Sequence, residues 1–400
     1  MRKISIILVY LIIPLLLTSA YSPLWTPEKE ITAYHIKESE CIYRDYNISA
    51  MDWSPNGKNL GIFSLCEGKL VVLDTKTGKA EFSKKYPENG TSYIYGKPIL
   101  KYSPDGRYLA LSVFGETEII NTGTWHTVAK PQTKSINSLS WSSDGKYIVY
   151  SEIYGENVTI ISTKNWSKIF EFKTNASEAV VSWSPDEKYI AYGSLGNLKI
   201  INSGNWNISK ELEIPGDMKR ICSITWSPNS SYLATAAVMI KNDTALIRIW
   251  ETATWKEIKT IYFKDDLNPY VLSWNSRYPL LSMGTWIAGL PPYRNTTVSV
   301  ILINTDNWSI SAEFNKVKFF TNMQYNEKSN YIFGYYVTWS PDGNSLAVGC
   351  KDVKVYTTEE GLFGTGTQGE GSEIPLLQIG VGSTMIVVIA ASIWYWKKRR

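Results

Sequence analysis

Four aspartates occupy the same place in a repeated short text: Asp105, Asp144, Asp186 and Asp342 each stand two residues after a serine. Paired carboxylates that act on one glycosidic bond stand within about 10 Å of each other. Copies of a repeat of roughly 40 residues instead stand one structural unit apart. A turn accounts for these aspartates directly, since Asp and Ser in such positions bond back to nearby backbone. Other reactive residues are sparse. The chain has two histidines, His35 and His126, in unrelated segments, too few for a metal cluster. It contains no Gly-x-Ser-x-Gly elbow. Gly90 to Lys97 fails as a phosphate loop, because its spacing is wrong and Pro98 stands where a metal-binding hydroxyl belongs. The residues point to no catalytic group, no cofactor and no metal, and hence to a protein that is not an enzyme.

What positions those aspartates is a repeated hairpin. "VTWSPDGNSLAVG", Val337 to Gly349, has near-copies along the whole chain, aligned on Trp53, Tyr102, Trp141, Trp183, Trp226, Trp274 and Trp339. The spacings are 49, 39, 42, 43, 48 and 65 residues. Ser-Pro-Asp-Gly suits a type I turn, and β-branched, aromatic and aliphatic residues flank it, so each copy reads as strand, tight turn, strand. A third strand follows, such as "KLVVLDT" or "DVKVYTT". In five copies a small polar run then closes on Trp125, Trp166, Trp206, Trp255 or Trp308 before a fourth strand. A four-stranded unit repeated every 40–50 residues or so is a propeller blade, apolar on both faces and stable only when stacked in a ring. The expectation is an all-β, seven-bladed β-propeller over residues 21–358. Its seventh copy has only three strands, so the segment Glu28 to Lys37 is expected to supply the outer strand of the last blade and close the ring. The tryptophans in register are expected to be core rings that fill the wedge between blades.

The aromatic-Ser-Pro-Asp-Gly-x-x-Leu-Ala text, followed by "VKVY" or "IRIW", resembles the WD40-like family of WD-repeat β-propellers and its prokaryotic, YVTN-like relatives. The resemblance covers roughly residues 29–357 and implies the same ring. Two departures stand out. The Gly-His pair that precedes a WD repeat is absent, and Trp-Asp survives only as Trp250-Glu251 and Leu73-Asp74. The family's His–Asp hydrogen-bond network is therefore not expected.

The two ends of the chain carry topogenic text. Arg2 and Lys3 precede a largely apolar run, Ile4 to Leu17, and small residues up to Ala20. This is the grammar of a signal peptide over residues 1–20, with an uncleaved anchor as the alternative. Ile374 to Trp396 is long enough for a transmembrane helix, and Lys397, Lys398, Arg399 and Arg400 form a basic tail expected on the cytoplasmic side. The glycine-rich stretch 359–373 reads as a flexible linker. The net charge of +4 is slight and four of the charges lie in the tail, which argues against a nucleic-acid partner. The propeller is thus expected outside the cell. Ten Asn-x-Ser/Thr signals fit that placement: Asn47, Asn89, Asn157, Asn165, Asn175, Asn207, Asn229, Asn242, Asn295 and Asn307. All fall at turns or strand ends, although turns are rich in these residue types anyway. Of the four cysteines, Cys41 and Cys66 are the first choice for a disulfide, Cys66 and Cys350 the second, and Cys222 reads as a buried free thiol.

Three insertions share one face of the expected ring: Tyr86 to Pro98, Met283 to Thr297 and Asn315 to Gly334. They carry aromatics that the blade pattern does not require, Tyr93, Tyr95, Trp286, Tyr293, Phe319, Phe320 and Tyr325, with Arg294 beside them. Such a cluster suits a binding surface for a protein, peptide or glycan at the outer cell surface. The expected function is a membrane-anchored extracellular binding or scaffold module. The alternatives are a surface hydrolase or lyase with substrate at the channel, and a structural component of the cell envelope.

Overall fold

The computed structural model describes residues 29–35, 48–86, 97–131, 133, 135–153, 155, 157–174, 178–213, 218–239, 245–263, 268–288, 297–318, 332–350 and 352–358. All belong to the first of two compact units, Met1–Thr367; the second, Gln368–Arg400, lies outside the described residues. The described strands form seven sheets, which are the seven expected blades. Blade 1 runs Ile48–Trp53, Asn59–Ser64, Lys69–Asp74 and Ala80–Lys85, from inner strand to outer. Blades 2 to 6 follow over residues 99–129, 136–173, 180–213, 218–263 and 268–318. The second and third strands are buried on both faces, whereas the outer strands alternate between exposed and half-buried positions. Stacked wedges require this pattern, because each sheet packs against a neighbour on either side.

Blade 7 is closed by the N-terminal strand. Lys29–His35 pairs antiparallel with Asp352–Thr357, with Ile31 opposite Val355 and a bulge between Thr32 and Tyr34. Glu30 binds Lys354 at 2.6 Å across this pair, and the Tyr34 hydroxyl donates to Glu67 of blade 1 at 2.7 Å. The indole of Trp53 donates to the Thr338 carbonyl at 3.2 Å, and Ile48 N to the Cys350 carbonyl at 2.8 Å. The first and last blades are therefore joined by backbone and side-chain hydrogen bonds, while the ion pair fixes the closing strand within blade 7.

The recurring turn behaves as its residues demand. Gly106 N donates to the Ser103 carbonyl at 2.9 Å, and Gly57, Gly145 and Gly343 repeat the bond. The serine hydroxyl donates to the aspartate, Ser103 to Asp105 at 2.6 Å, and accepts Tyr108 N at 2.9 Å. Burial works to raise Asp105, but the bonds from Ser103, Arg107 N and the Arg107 guanidinium outweigh it and hold the carboxylate below its ordinary range. Asp144 and Asp186 behave alike. In blade 6 the worn copy uses Asn275 instead, whose amide oxygen accepts Arg277 N and Tyr278 N at 2.7 Å.

The second tryptophan mark is a bulge. Trp125, Trp166, Trp206, Trp255 and Trp308 all have φ between 56° and 61°, left-handed backbone that is an outlier for so large a side chain. Blade 1 has Gly78 there, with φ 67°. The strain swings each indole back over the preceding blade. Trp206 of blade 4 lies 5.9 Å from Tyr147 and 6.0 Å from Phe170 in blade 3, and 6.0 Å from its own Trp183. Trp255 meets Tyr189 and Trp226 in the same way. The inner-strand aromatics are buried, as expected, except Trp274, which is half-buried; the turn tryptophans are half-buried clasps at the rim.

Blade 6 departs from four strands. A fifth, Ile332–Gly334, pairs with the far end of its second strand, Leu280–Ala288. The expected helix at 374–396 lies outside the described residues, and among the described residues no helix is long and apolar enough to cross a membrane.

Candidate recognition surface at the channel mouth

The three insertions leave the ring on the side where the inner strands begin. Two of them are joined by the fifth strand of blade 6: Trp286 stands opposite Gly334, Ile287 opposite Phe333 and Ala288 opposite Ile332. Gly284 makes the junction possible, since a Cβ on it would stand 1.9 Å from the Tyr335 carbonyl oxygen. Tyr335 N donates to the Thr285 carbonyl at 2.9 Å beside it. Of the aromatic candidates, Trp286 is placed by its backbone, while Tyr93, Tyr95, Tyr293, Phe319, Phe320 and Tyr325 lie outside the described residues, as does Arg294.

Lys97, near the end of the first insertion, turns inward. Its ammonium lies 5.1 Å from the ring centre of Tyr270, on the inner strand of blade 6. Tyr270 meets Tyr336 of blade 7 edge-on at 6.2 Å. Around them stand two ion pairs, Lys101 with Asp52 at 3.2 Å and Arg220 with Glu178 at 2.8 Å. Six blades thus supply charged or aromatic groups to one mouth of the channel. Burial opposes the charge on Lys101, but the Asp52 carboxylate outweighs it, with Tyr336 adding, so the lysine is held protonated. Lys97 goes the other way: burial, then repulsion from Arg220 and Lys101, pushes its pKa down to about 8. Burial also raises the Cys222 thiol, which stays neutral beside Arg220.

This cluster escaped the motif reading, yet it leaves a trace in the sequence. The residue before the aligned aromatic is Ser140, Ser182, Thr225, Ser273 or Thr338 in five blades, but Asp52 and Lys101 in the first two. The hydroxyl ties one blade to the next, for Ser140 Oγ accepts Trp183 N of the following blade at 3.0 Å, and Ser273 Oγ accepts Trp339 N at 3.3 Å. Asp52 makes the same tie, accepting Tyr102 N at 2.8 Å, and binds Lys101 besides. A charged pair that replaces hydroxyls in adjacent copies is the signal to look for.

The glycosylation signals split by place. Asn165, Asn207, Asn229 and Asn307 are exposed, Asn157 is half-buried at the start of a third strand, and Asn47, Asn89, Asn175, Asn242 and Asn295 lie outside the described residues. Cys66 is disulfide-bonded, whereas Cys222 and Cys350 carry thiols; Cys41 lies outside the described residues. Among the described residues no group of three or more His, Cys, Asp or Glu is placed to hold a metal ion.

The ring of seven wedges defines the chain as a β-propeller. The family model for eukaryotic translation initiation factor eIF2A matches residues 153–255. The intraflagellar transport protein 172 homolog of Danio rerio is 26% identical over 188 residues, 44% of this chain and 10% of that protein. The chain therefore spans about a tenth of that relative's length. Kuenenia stuttgartiensis hydrazine synthase has a chain that superposes with a TM-score of 0.61 at 16% identity, over 81% of this chain and 99% of that one. A chain of the mitotic checkpoint complex gives 0.60 at 16% identity, over 83% and 92%. The repeats in register, the family-model match and the intraflagellar relative support a WD40-like propeller, and the two solved structures share its fold.

Proposed function

We propose that this protein is a non-enzymatic binding and scaffold propeller, held outside the cell by a C-terminal membrane anchor, that engages a protein, peptide or glycan on the face of its insertions. The observation that carries the reading is the fifth strand of blade 6, which ties two insertions into one platform beside the channel mouth. Support for the location comes from the end segments and the Asn-x-Ser/Thr signals. Lipid and partner would then be met at opposite ends of a flexible linker. The charged channel mouth favours a second reading, a hydrolase or lyase acting there. Its carboxylates argue against that, because Asp52 and Glu178 are already engaged by Lys101 and Arg220.

The test uses the full chain in intact cells. Surface protease should remove the propeller and leave the tail protected. Capture of cell-surface proteins and glycans should be lost when Trp286→Ala and Phe320→Ala are combined. Unchanged capture would remove the insertions as the site, and a protected propeller would remove the topology.

A further inference from the structure

Among the described residues, the channel mouth holds more cations than carboxylates. Asp52 engages Lys101 and Glu178 engages Arg220. Lys97 is the third cation, and among the described residues no carboxylate reaches it. Its ammonium leans across the channel to the ring of Tyr270, three wedges away around the circle. A ring face attracts an ammonium only through its quadrupole. A hydrogen bond from the ammonium to an oxyanion is charge-assisted and stronger. The site therefore has a cation whose present partner is weaker than the one an oxyanion would provide. Arg220 adds donors, for one N–H of its guanidinium goes to Glu178 Oε2 and a guanidinium carries several more.

We propose that this mouth is an oxyanion site, in which a carboxylate or phosphate group of the ligand sits between Lys97 and Arg220 against the Tyr270 ring. The proposal rests on the reading of this face as the recognition surface, and it names the group that the surface selects. The groups acting on Lys97 are Lys101, Arg220, Cys222 and the Tyr270 ring, with Asp52 beside Lys101, Tyr336 beside Tyr270 and Glu178 beside Arg220. Lys97 changes charge near pH 8, whereas Lys101 is held protonated by Asp52. Oxyanion binding should therefore weaken as the pH rises through about 8.

The experiment titrates the full chain with inorganic phosphate, acetate and, as the uncharged control, acetamide, followed by calorimetry. Phosphate or acetate should bind at neutral pH and acetamide should not. Lys97→Met should weaken the anion about tenfold or more, a change of about 1.4 kcal/mol. Lys97→Arg should retain binding and lose the pH dependence, since a guanidinium stays charged. A preference for phosphate assigns a phosphoryl ligand and a preference for acetate a carboxylate; either supports the site. Equal affinity in wild type and Lys97→Met, binding of acetamide as tight as acetate, or no binding of either anion overturns it. Capture by the Trp286 and Phe320 variants is read separately. Capture by the wild type that these variants lose, with no anion binding, removes the oxyanion site alone. Anion binding that persists while those variants capture normally removes the insertions and leaves the site.

Discussion

Lys97 occupies the channel against the stability of the fold. Its pKa falls from an ordinary 10.5 to about 8, with burial as the main cause. Between those values the unfolded chain binds more protons than the folded one, so this group makes stability rise with pH across that window. Lys97→Met should raise the melting temperature at neutral pH and flatten the profile between about 8 and 10.5. An unaltered profile would mean that the ammonium is better solvated than its place suggests. Glu118 is the opposite case. Burial raises it, but Lys84, Thr127 and the Tyr86 hydroxyl outweigh that and hold it below its ordinary 4.5. Its stabilisation is fully present above 4.5 and lost as pH falls through the lower folded value. Glu118→Gln should cost about 1–2 kcal/mol at neutral pH, the lower part because solvent at Lys84 screens the pair, and little in acid. Chemical denaturation at two pH values reads both. The turn aspartates were legible in advance, because Ser-Pro-Asp-Gly fixes their partners within five residues. Lys97 was not: its partners come from blades 5 and 6, more than 120 residues away in the chain.

Turns and short strands show how local text becomes a joint between wedges. The left-handed tryptophan is the clearest instance. Trp206→Ala removes an indole shared by Tyr147, Phe170 and Trp183 and should cost about 2–3 kcal/mol, less than a fully buried ring. Trp206→Gly should recover about 1 kcal/mol of that, because glycine carries no left-handed penalty. Equal losses would place the whole effect in packing. Gly284 is the other joint. Gly284→Ala puts a methyl group into the Tyr335 carbonyl and should detach the fifth strand of blade 6. Faster amide exchange at Tyr335, whose N–H is held by Thr285, would report it, while the blade core stays protected. The sequence marks both places, by a repeated tryptophan and an aromatic insertion. It does not mark the sign of φ or the crossing, since each depends on what lies on the far side.

The ring depends on its N-terminal strand. Deleting residues 29–36 strips the outer edge of blade 7 and removes Tyr34 and Glu30 from their partners on blades 1 and 7. The variant should melt several degrees lower and self-associate, as unpaired strand edges do. Unfolding followed at two protein concentrations, with light scattering, separates the two effects. Loss of neither would mean that the bonds from Trp53 and Ile48 suffice to close the circle.

Number of wedges, order of strands and place of the closing strand were settled by the residues alone. Each blade is a local hairpin text written seven times, and a sheet apolar on both faces has no stable state except between two others. The contents of the channel were settled only by the closed circle. Asp52, Lys97, Glu178, Arg220, Tyr270 and Tyr336 lie far apart in sequence and share no motif. Closure brings residues on or just before six inner strands together at one channel, and only then do their charges and rings act on one another.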